Sequence, residues 1–183
     1  MSEGNATLGP FTVEREIGKG GMSRVYLVHT PDYDQPLALK LLLPRYLNDI
    51  EAIEFFKREA EIGLDVLHPN IVRVFDAGEV NGTPYILMEY IDGVSLRKIL
   101  DGSGRLNVDY ALLVVDKVTQ AFKATWDEKG LVHNDIKPEN ILLTADGDVK
   151  LADLALAESN AFTKPQVSDF VFGTPQYVSR SEE

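Results

Sequence analysis

His133-Asn134-Asp135-Ile136-Lys137-Pro138-Glu139-Asn140 sets a carboxylate, an ammonium and a carboxamide close together in the chain. Two apolar runs follow, Ile141 to Thr144 and Val149 to Ala152, around the turn Ala145-Asp146-Gly147-Asp148, and then comes Asp153. Asp-Gly between two apolar runs predicts a β-hairpin. An antiparallel hairpin returns to where it began, so Asn140 and Asp153 are expected to face each other at its open end. Asp135 precedes Asn140 closely enough to share that place. Two oxygen ligands with a second carboxylate beside them suit a hard divalent cation carrying phosphates, next to a base.

Composition excludes several other chemistries. With 183 residues and 44% hydrophobic content, the chain can bury one sizeable core or two small lobes. No apolar run is long enough for a membrane-spanning helix. Met1 to Pro10 is polar and lacks an apolar signal core, so export is not indicated. The absence of cysteine rules out disulfides and thiolate metal sites and agrees with a cytoplasmic location. A net charge of −11 argues against nucleic acid as a partner. The acidity reads as solubility, although it also suits basic peptide substrates. No repeats or low-complexity segments occur.

Upstream elements have to supply whatever holds the phosphates. Phe11 to Gly18 reads as a strand and Arg24 to Thr30 as its hairpin partner, with Gly18-Lys19-Gly20-Gly21-Met22-Ser23 between them. Glycines there let backbone N–H groups approach phosphate oxygens. Alone, such a stretch is an ordinary tight turn; its placement before Val25 and the next strand singles it out. In that strand, Leu37 to Leu43, Ala38 and Lys40 share one face, roughly 6.6 Å apart. A small residue makes room for a flat base, and a lysine two steps on reaches its phosphates. Leu37, Leu39, Leu41 and Leu42 surround Lys40, so a buried ammonium there needs a partner. The spacing of Ile53, Phe56, Ala60 and Leu64 predicts a helix over 51–66 with those residues as its buried stripe. Glu59 lies on that helix, which His68-Pro69-Asn70 closes. Strand Pro84 to Glu89 leads into the linker Tyr90 to Ser95. Leu96 begins a short helix, and Val108 to Trp126 forms a longer one, apolar around most of its circumference, which expects cover on several sides.

These elements, in this order, resemble the catalytic core of the eukaryotic-type Ser/Thr protein kinases in the form common in bacteria. The family pattern is H-R-D-x-K-x-x-N followed by D-F-G; here it reads His133 to Asn140, then Asp153-Leu154-Ala155. The resemblance implies an α+β, two-lobe fold. An antiparallel small lobe would span 11–89 after a tail at 1–10, a hinge 90–95, and a partial, mainly helical large lobe 96–183. It implies ATP and Mg²⁺ as cofactors and Ser/Thr hydroxyls of proteins as acceptors. Asp135 is then the catalytic base, and Lys137 neutralises charge on the transferring group. Lys40 holds the α- and β-phosphates and pairs with Glu59. Thr174, in Gly173-Thr174-Pro175, bridges base and lysine. Gly18, Gly20 and Gly21 belong to the phosphate loop, while Val25, Ala38 and Leu142 enclose the base and Met88 gates the pocket behind it. The Glu89 carbonyl and the Ile91 N–H pair with the adenine edge, Ser95 reaches the ribose, and Asn140 and Asp153 hold Mg²⁺. His133 is structural.

Several positions depart from the family pattern. Ser23 replaces the third glycine of the loop. Gly63 stands one turn beyond Glu59, where many relatives carry a larger apolar residue, which predicts a loose contact behind the helix. Asn134 replaces the arginine that receives a phosphorylated activation loop, so phosphorylation at Thr163 or Ser168 loses its docking partner and activity is expected not to depend on it. Leu154 and Ala155 replace Phe-Gly, and Arg180-Ser181 replace the Pro-Glu that ends the activation segment. The resemblance runs from about residue 11 to 179, and the chain stops at Glu183 before the helices that complete a large lobe. Three readings follow: a natural minimal kinase, a fragment, or a degenerate pseudokinase acting as scaffold or regulator. Small-molecule phosphotransfer is a further alternative, opposed by Lys137 and the Gly-Thr-Pro segment. The long helix, with Tyr110, Ala111, Leu112, Leu113, Val114, Val115, Val118, Ala121, Phe122 and Trp126, is expected to leave apolar surface that drives self-association or needs a partner. The alternative is that the activation segment, with Phe162, Phe170, Val171 and Phe172, folds back to cover it.

Overall fold

The computed structural model describes residues 6–133, 135–153 and 158–159. The chain forms two compact units. One comprises the residues up to Asp65 together with Arg73–Tyr90; the other comprises Val66–Val72 with the chain from Ile91 onward.

The first unit is a six-stranded antiparallel sheet in the order β1-β2-β3-β4-β6-β5. Its strands are β1 Ala6–Leu8, β2 Phe11–Lys19, β3 Ser23–Thr30, β4 Tyr33–Leu42, β5 Val74–Val80 and β6 Thr83–Glu89, and helix α1, Ile50–Asp65, lies between β4 and β5 in the chain. Alternation along β4 sorts its side chains onto two faces. Leu37 and Leu39 join Phe11, Val28, Val80 and Leu87 in one cluster, with Leu41 at its edge. Leu42 joins Phe56 and Ala60 of α1 and Ile86 of β6 in the other. The leucines therefore do not surround Lys40, as the sequence suggested: three of the four point away from it. Asn81-Gly82, with φ of 50° and 75°, closes the β5–β6 hairpin in the left-handed conformation that such two-residue turns require.

Residues 6–8, read from sequence as tail, are an edge strand paired with β2 in the register Ala6↔Val13 and Leu8↔Phe11. The Gly9-Pro10 turn between them was the overlooked signal. Helix α1 starts one residue earlier than predicted and accepts a cap from Asp49, whose Oδ1 takes the Ala52 N–H at 3.1 Å. It buries Ala52, Phe56, Glu59, Ala60, Ile62 and Gly63. Leu64, expected in the stripe, is half exposed instead, because the stripe runs through Glu59 and Gly63 and turns Leu64 outward.

The second unit carries β7 Gly93–Ser95, α2 Leu96–Ser103, α3 Val108–Lys129, β8 Leu131–Val132, β9 Ile141–Thr144, β10 Val149–Leu151 and β11 Glu158–Ser159. β10, β9 and β7 form one small sheet, and β11 pairs with β8. A Cβ on Gly93 would lie 2.4 Å from the Leu143 carbonyl oxygen, so only glycine lets β7 approach β9 this closely. α3 is capped by Asn107, which accepts the Asp109 N–H at 2.8 Å, and ends at Gly130 with φ 61°. It buries Val114, Val118, Ala121 and Thr125, while Val108, Tyr110, Leu112, Val115 and Trp126 are exposed. Val66–Val72, which the sequence reading placed in the first lobe, belongs here for a hydrogen-bonding reason. The Val72 N–H donates to the Leu151 carbonyl at 2.8 Å, the Leu151 N–H to Asn70 at 2.8 Å, and Asn70 Nδ2 to Val149 at 2.9 Å. Among the described residues no helix is long and apolar enough to cross a membrane.

Candidate active site

In the first unit, several of the candidate residues lie on one sheet face. Val25 pairs with Lys40 and Lys40 with Ile86; one row along, Leu27 pairs with Ala38 and Ala38 with Met88. Directly opposed residues share a face, so Val25, Ala38, Lys40 and Met88 lie together. Lys40 is 8% and Glu59 7% exposed. Lys40 Nζ donates to Glu59 Oε1 at 2.5 Å, the partner that a buried ammonium requires. Glu59 gets there because α1 packs its Phe56–Ala60 turn on the sheet. The contact behind that helix is not loose. A Cβ on Gly63 would meet Val74 Cγ2 at 2.5 Å, so Val74 already occupies the space a larger residue would fill.

The Gly18–Ser23 loop closes through the Gly20 N–H, which donates to the Ser23 carbonyl at 2.9 Å. Gly18 sits opposite Val25 and would bring a Cβ within 3.3 Å of it, whereas a Cβ on Gly21 would meet nothing within 4 Å. Glu89 ends β6 opposite Leu37, and its N–H donates to the Arg73 carbonyl at 2.8 Å.

In the second unit the predicted hairpin forms in the register Val149↔Leu143, Lys150↔Leu142 and Leu151↔Ile141. Its open end is closed by the Ala152 N–H donating to the Asn140 carbonyl at 2.8 Å, which brings Asp153 next to Asn140. Asp153 adopts φ 67°, a left-handed conformation that costs a non-glycine residue energy and that concentrates at functional sites. Asn140 ends a 3₁₀ turn over Pro138–Asn140, its N–H donating to the Lys137 carbonyl at 3.0 Å. Asp135, Lys137 and Asn140 meet at one carboxylate. Lys137 Nζ donates to Asp135 Oδ2, and Asn140 Nδ2 lies 3.3 Å from the same oxygen and 3.1 Å from the Asp135 carbonyl. Asp135 and Asn140 are both buried.

His133 is buried against the edge of the Phe122 ring, at 5.7 Å. Its Nδ1 accepts the Asp135 N–H at 3.3 Å, and its Nε2 has no hydrogen-bond partner among the described residues. Burial lowers its pKa, against the opposing pull of Asp153 and Asp135, so the ring is neutral at pH 7.

Ser95 does something the sequence reading did not anticipate. Its hydroxyl accepts the Lys98 N–H at 3.3 Å and caps α2; the hydroxyl proton remains a donor. Ile91 and Leu142 are partly buried in this unit, with Leu142 opposite Ser95. Arg97 was missed altogether. Its Nε donates to Glu139 Oε1 at 2.9 Å, tying α2 to the turn that carries Asn140. No local pattern marks that pairing. Thr174, Asn134, Leu154 and Ala155, with the Thr163, Ser168 and Arg180-Ser181 positions, lie outside the described residues.

The protein kinase domain family model matches residues 11–180. The chain is 36% identical over 179 residues to the serine/threonine-protein kinase PrkC of Bacillus subtilis, covering 98% of this chain and 28% of that protein. It is 34% identical over 176 residues to the serine/threonine-protein kinase PknA of Mycobacterium tuberculosis, covering 93% of this chain and 41% of that one. The chain thus spans well under half the length of these relatives. The crystal structure of the M. tuberculosis PknI kinase domain superposes with a TM-score of 0.73 at 33% identity, over 86% of this chain and 63% of that chain. With the family model matching residues 11–180 and the fold agreeing over 86% of the chain, the chain belongs to the protein kinase domain family.

Proposed function

We propose that the protein transfers the γ-phosphoryl group of ATP to serine or threonine hydroxyls of protein substrates in the cytoplasm. The observation that carries this reading is the buried Asp135 carboxylate held by both Lys137 and Asn140. Such a carboxylate is oriented by two donors and can still accept a proton. As the substrate hydroxyl oxygen bonds to the γ-phosphorus, its proton passes to Asp135, and the bond to the β,γ-bridging oxygen breaks to leave ADP. Lys137 offsets charge on the transferring group. Lys40, set by Glu59, takes α- and β-phosphate oxygens, and the Gly18–Ser23 backbone supplies N–H donors. Val25, Ala38, Met88 and Leu142 are apolar walls for the base, the Glu89 carbonyl and Ile91 N–H bind its edge, and the Ser95 hydroxyl proton serves the ribose.

The donor chemistry fits Mg²⁺. Asn140 commits Nδ2 to Asp135, which leaves its amide oxygen as a hard donor, and Asp153 adds a carboxylate. Two protein oxygens are what Mg²⁺ takes when phosphates and waters complete its shell. Once bound, the ion neutralises phosphate charge. Lysine two residues after the aspartate, and relatives named serine/threonine-protein kinases, support Ser/Thr as the acceptor.

The test is transfer from radiolabelled ATP to a generic basic protein. Wild type should label it, and Asp135→Asn should lose about 100-fold or more of the rate, the lower range for removing a general base. Equal rates for the two proteins would refute the assignment of Asp135. Nucleotide binding with no transfer by wild type would favour a scaffold instead.

A further inference from the structure

Arg45 lies just after β4, in the short 3₁₀ turn Pro44–Tyr46, and is exposed. Its Nη2 donates to the Gly21 carbonyl at 2.5 Å, while its guanidinium packs over the Tyr46 ring at 4.9 Å. The neighbouring Leu43 N–H donates to the Met22 carbonyl at 2.8 Å. Met22 itself turns inward and packs against the cluster of Leu42, Phe56, Ala60 and Ile86. Two successive carbonyls at the loop tip are therefore held by one flanking segment. In a planar trans peptide the N–H points opposite the C=O. Pinning the Gly21 and Met22 carbonyls fixes the Met22 and Ser23 N–H groups on the other side of the loop. Consecutive N–H groups turned to one side make a concavity that binds anions.

We infer that Arg45 is a positioning residue for the phosphate loop. It holds the backbone N–H groups of Met22 and Ser23 in the orientation that receives the phosphates of ATP. A glycine-rich loop loses much conformational freedom when it is ordered. Clamping it in advance removes that cost from nucleotide binding. Arg45 itself touches no phosphate in this scheme: its guanidinium is occupied by a carbonyl and a tyrosine ring. The inference rests on the proposal that this loop binds phosphates.

Binding of Mg²⁺-ATP and of adenosine to wild type, Arg45→Ala and Arg45→Lys separates these roles. Adenosine carries no phosphate, so a general loosening of the fold weakens both ligands, whereas loss of loop positioning weakens only ATP. Arg45→Ala should weaken Mg²⁺-ATP by about five- to tenfold, the size of one ordinary hydrogen bond, and leave adenosine unchanged. Arg45→Lys, which keeps a donor but loses the fork, should recover part of the difference. Unchanged ATP affinity in Arg45→Ala, or an equal loss for both ligands, overturns the positioning role. If wild type binds adenosine and Mg²⁺-ATP with the same affinity, the loop does not serve phosphates at all, and the failure lies in the underlying assignment.

Discussion

Gly63→Ala sets two known effects against each other, and the distances around it decide which prevails. Alanine is the better helix former, by at most about 1 kcal/mol, and less near a helix end. Gly63 is buried two residues before α1 stops at Asp65, so that gain is small. Against it stands Val74, whose Cγ2 would lie 2.5 Å and whose Cβ 3.3 Å from the new methyl. Carbon atoms pack at about 3.5–4.0 Å, so roughly 1 Å of movement is required. Val74 is branched at Cβ and held in β5, opposite Met88, so rotation about χ1 offers little relief. Overpacking of this kind costs about 1–3 kcal/mol, and the substitution should destabilise by about 1–2 kcal/mol net. In urea this appears as a midpoint lowered by about 0.5–1 M for a slope near 2 kcal/mol/M. Activity should fall as well, since the helix pushed off β5 carries Glu59 one turn away. The sharper result comes from the cycle with Val74→Ala. Once Val74 is trimmed, Gly63→Ala should become neutral or stabilising, a coupling of at least about 1 kcal/mol. If Gly63→Ala raises the midpoint in the parent protein, or if the two substitutions simply add, the close packing described here does not exist.

Saturating Mg²⁺-ATP at one hundred times its dissociation constant should add about 2.7 kcal/mol to the unfolding free energy. Asp153→Ala should lose most of that gain, read as the shift between each protein's own unliganded and liganded melting temperatures; an unaltered ligand-induced shift would remove Asp153 from the proposed metal site. His68 titrates below its ordinary value of 6.5, chiefly through burial, with Glu128 opposing and Lys150 reinforcing the shift. Because the unfolded chain then binds the proton more tightly, this group's contribution is fully present above about pH 6.5 and is lost as pH falls through the folded-state value. A nuclear magnetic resonance titration placing His68 at or above 6.5 would contradict this, as would a His68→Gln variant whose stability relative to wild type does not improve from pH 7 to pH 5.

What could be read from sequence follows the range over which each cause acts. The β9–β10 hairpin is specified within a dozen residues by an Asp-Gly turn between apolar runs, and its register then carries Asn140 and Asp153 together without outside help. The Asp135–Lys137–Asn140 cluster is equally local. Lys40 and Glu59 are different. Nothing in either neighbourhood names the other, and only the family resemblance joined them before the structure brought them to 2.5 Å. The alternation of β4 was legible as a period, but not the consequence that its leucines divide between two clusters, since that needs the sheet and α1 in place.

What the sequence left unsaid about single residues has a cause of its own. Gly63 looked like a missing contact because a sequence shows what a residue lacks and not what has moved into the space; the filler is Val74, from a different element. Ser95 offered a hydroxyl for a ligand, and the nearest unsatisfied N–H groups at the start of α2 claimed its acceptor. Arg45 and Arg97 carried no signal because an exposed arginine is ordinary anywhere in a chain, and what distinguishes these two is the acceptor each one finds. Asp153 is the clearest instance. Its type and spacing marked it as a metal ligand, but its left-handed backbone is a property of the folded chain. That conformation persists only if the surroundings over-determine it. The Ala152–Asn140 hydrogen bond on one side is part of what does so. A substitution that frees this bond should let Asp153 relax to ordinary dihedrals, so the proposed metal site depends on the hairpin's last hydrogen bond as well as on its two oxygen donors.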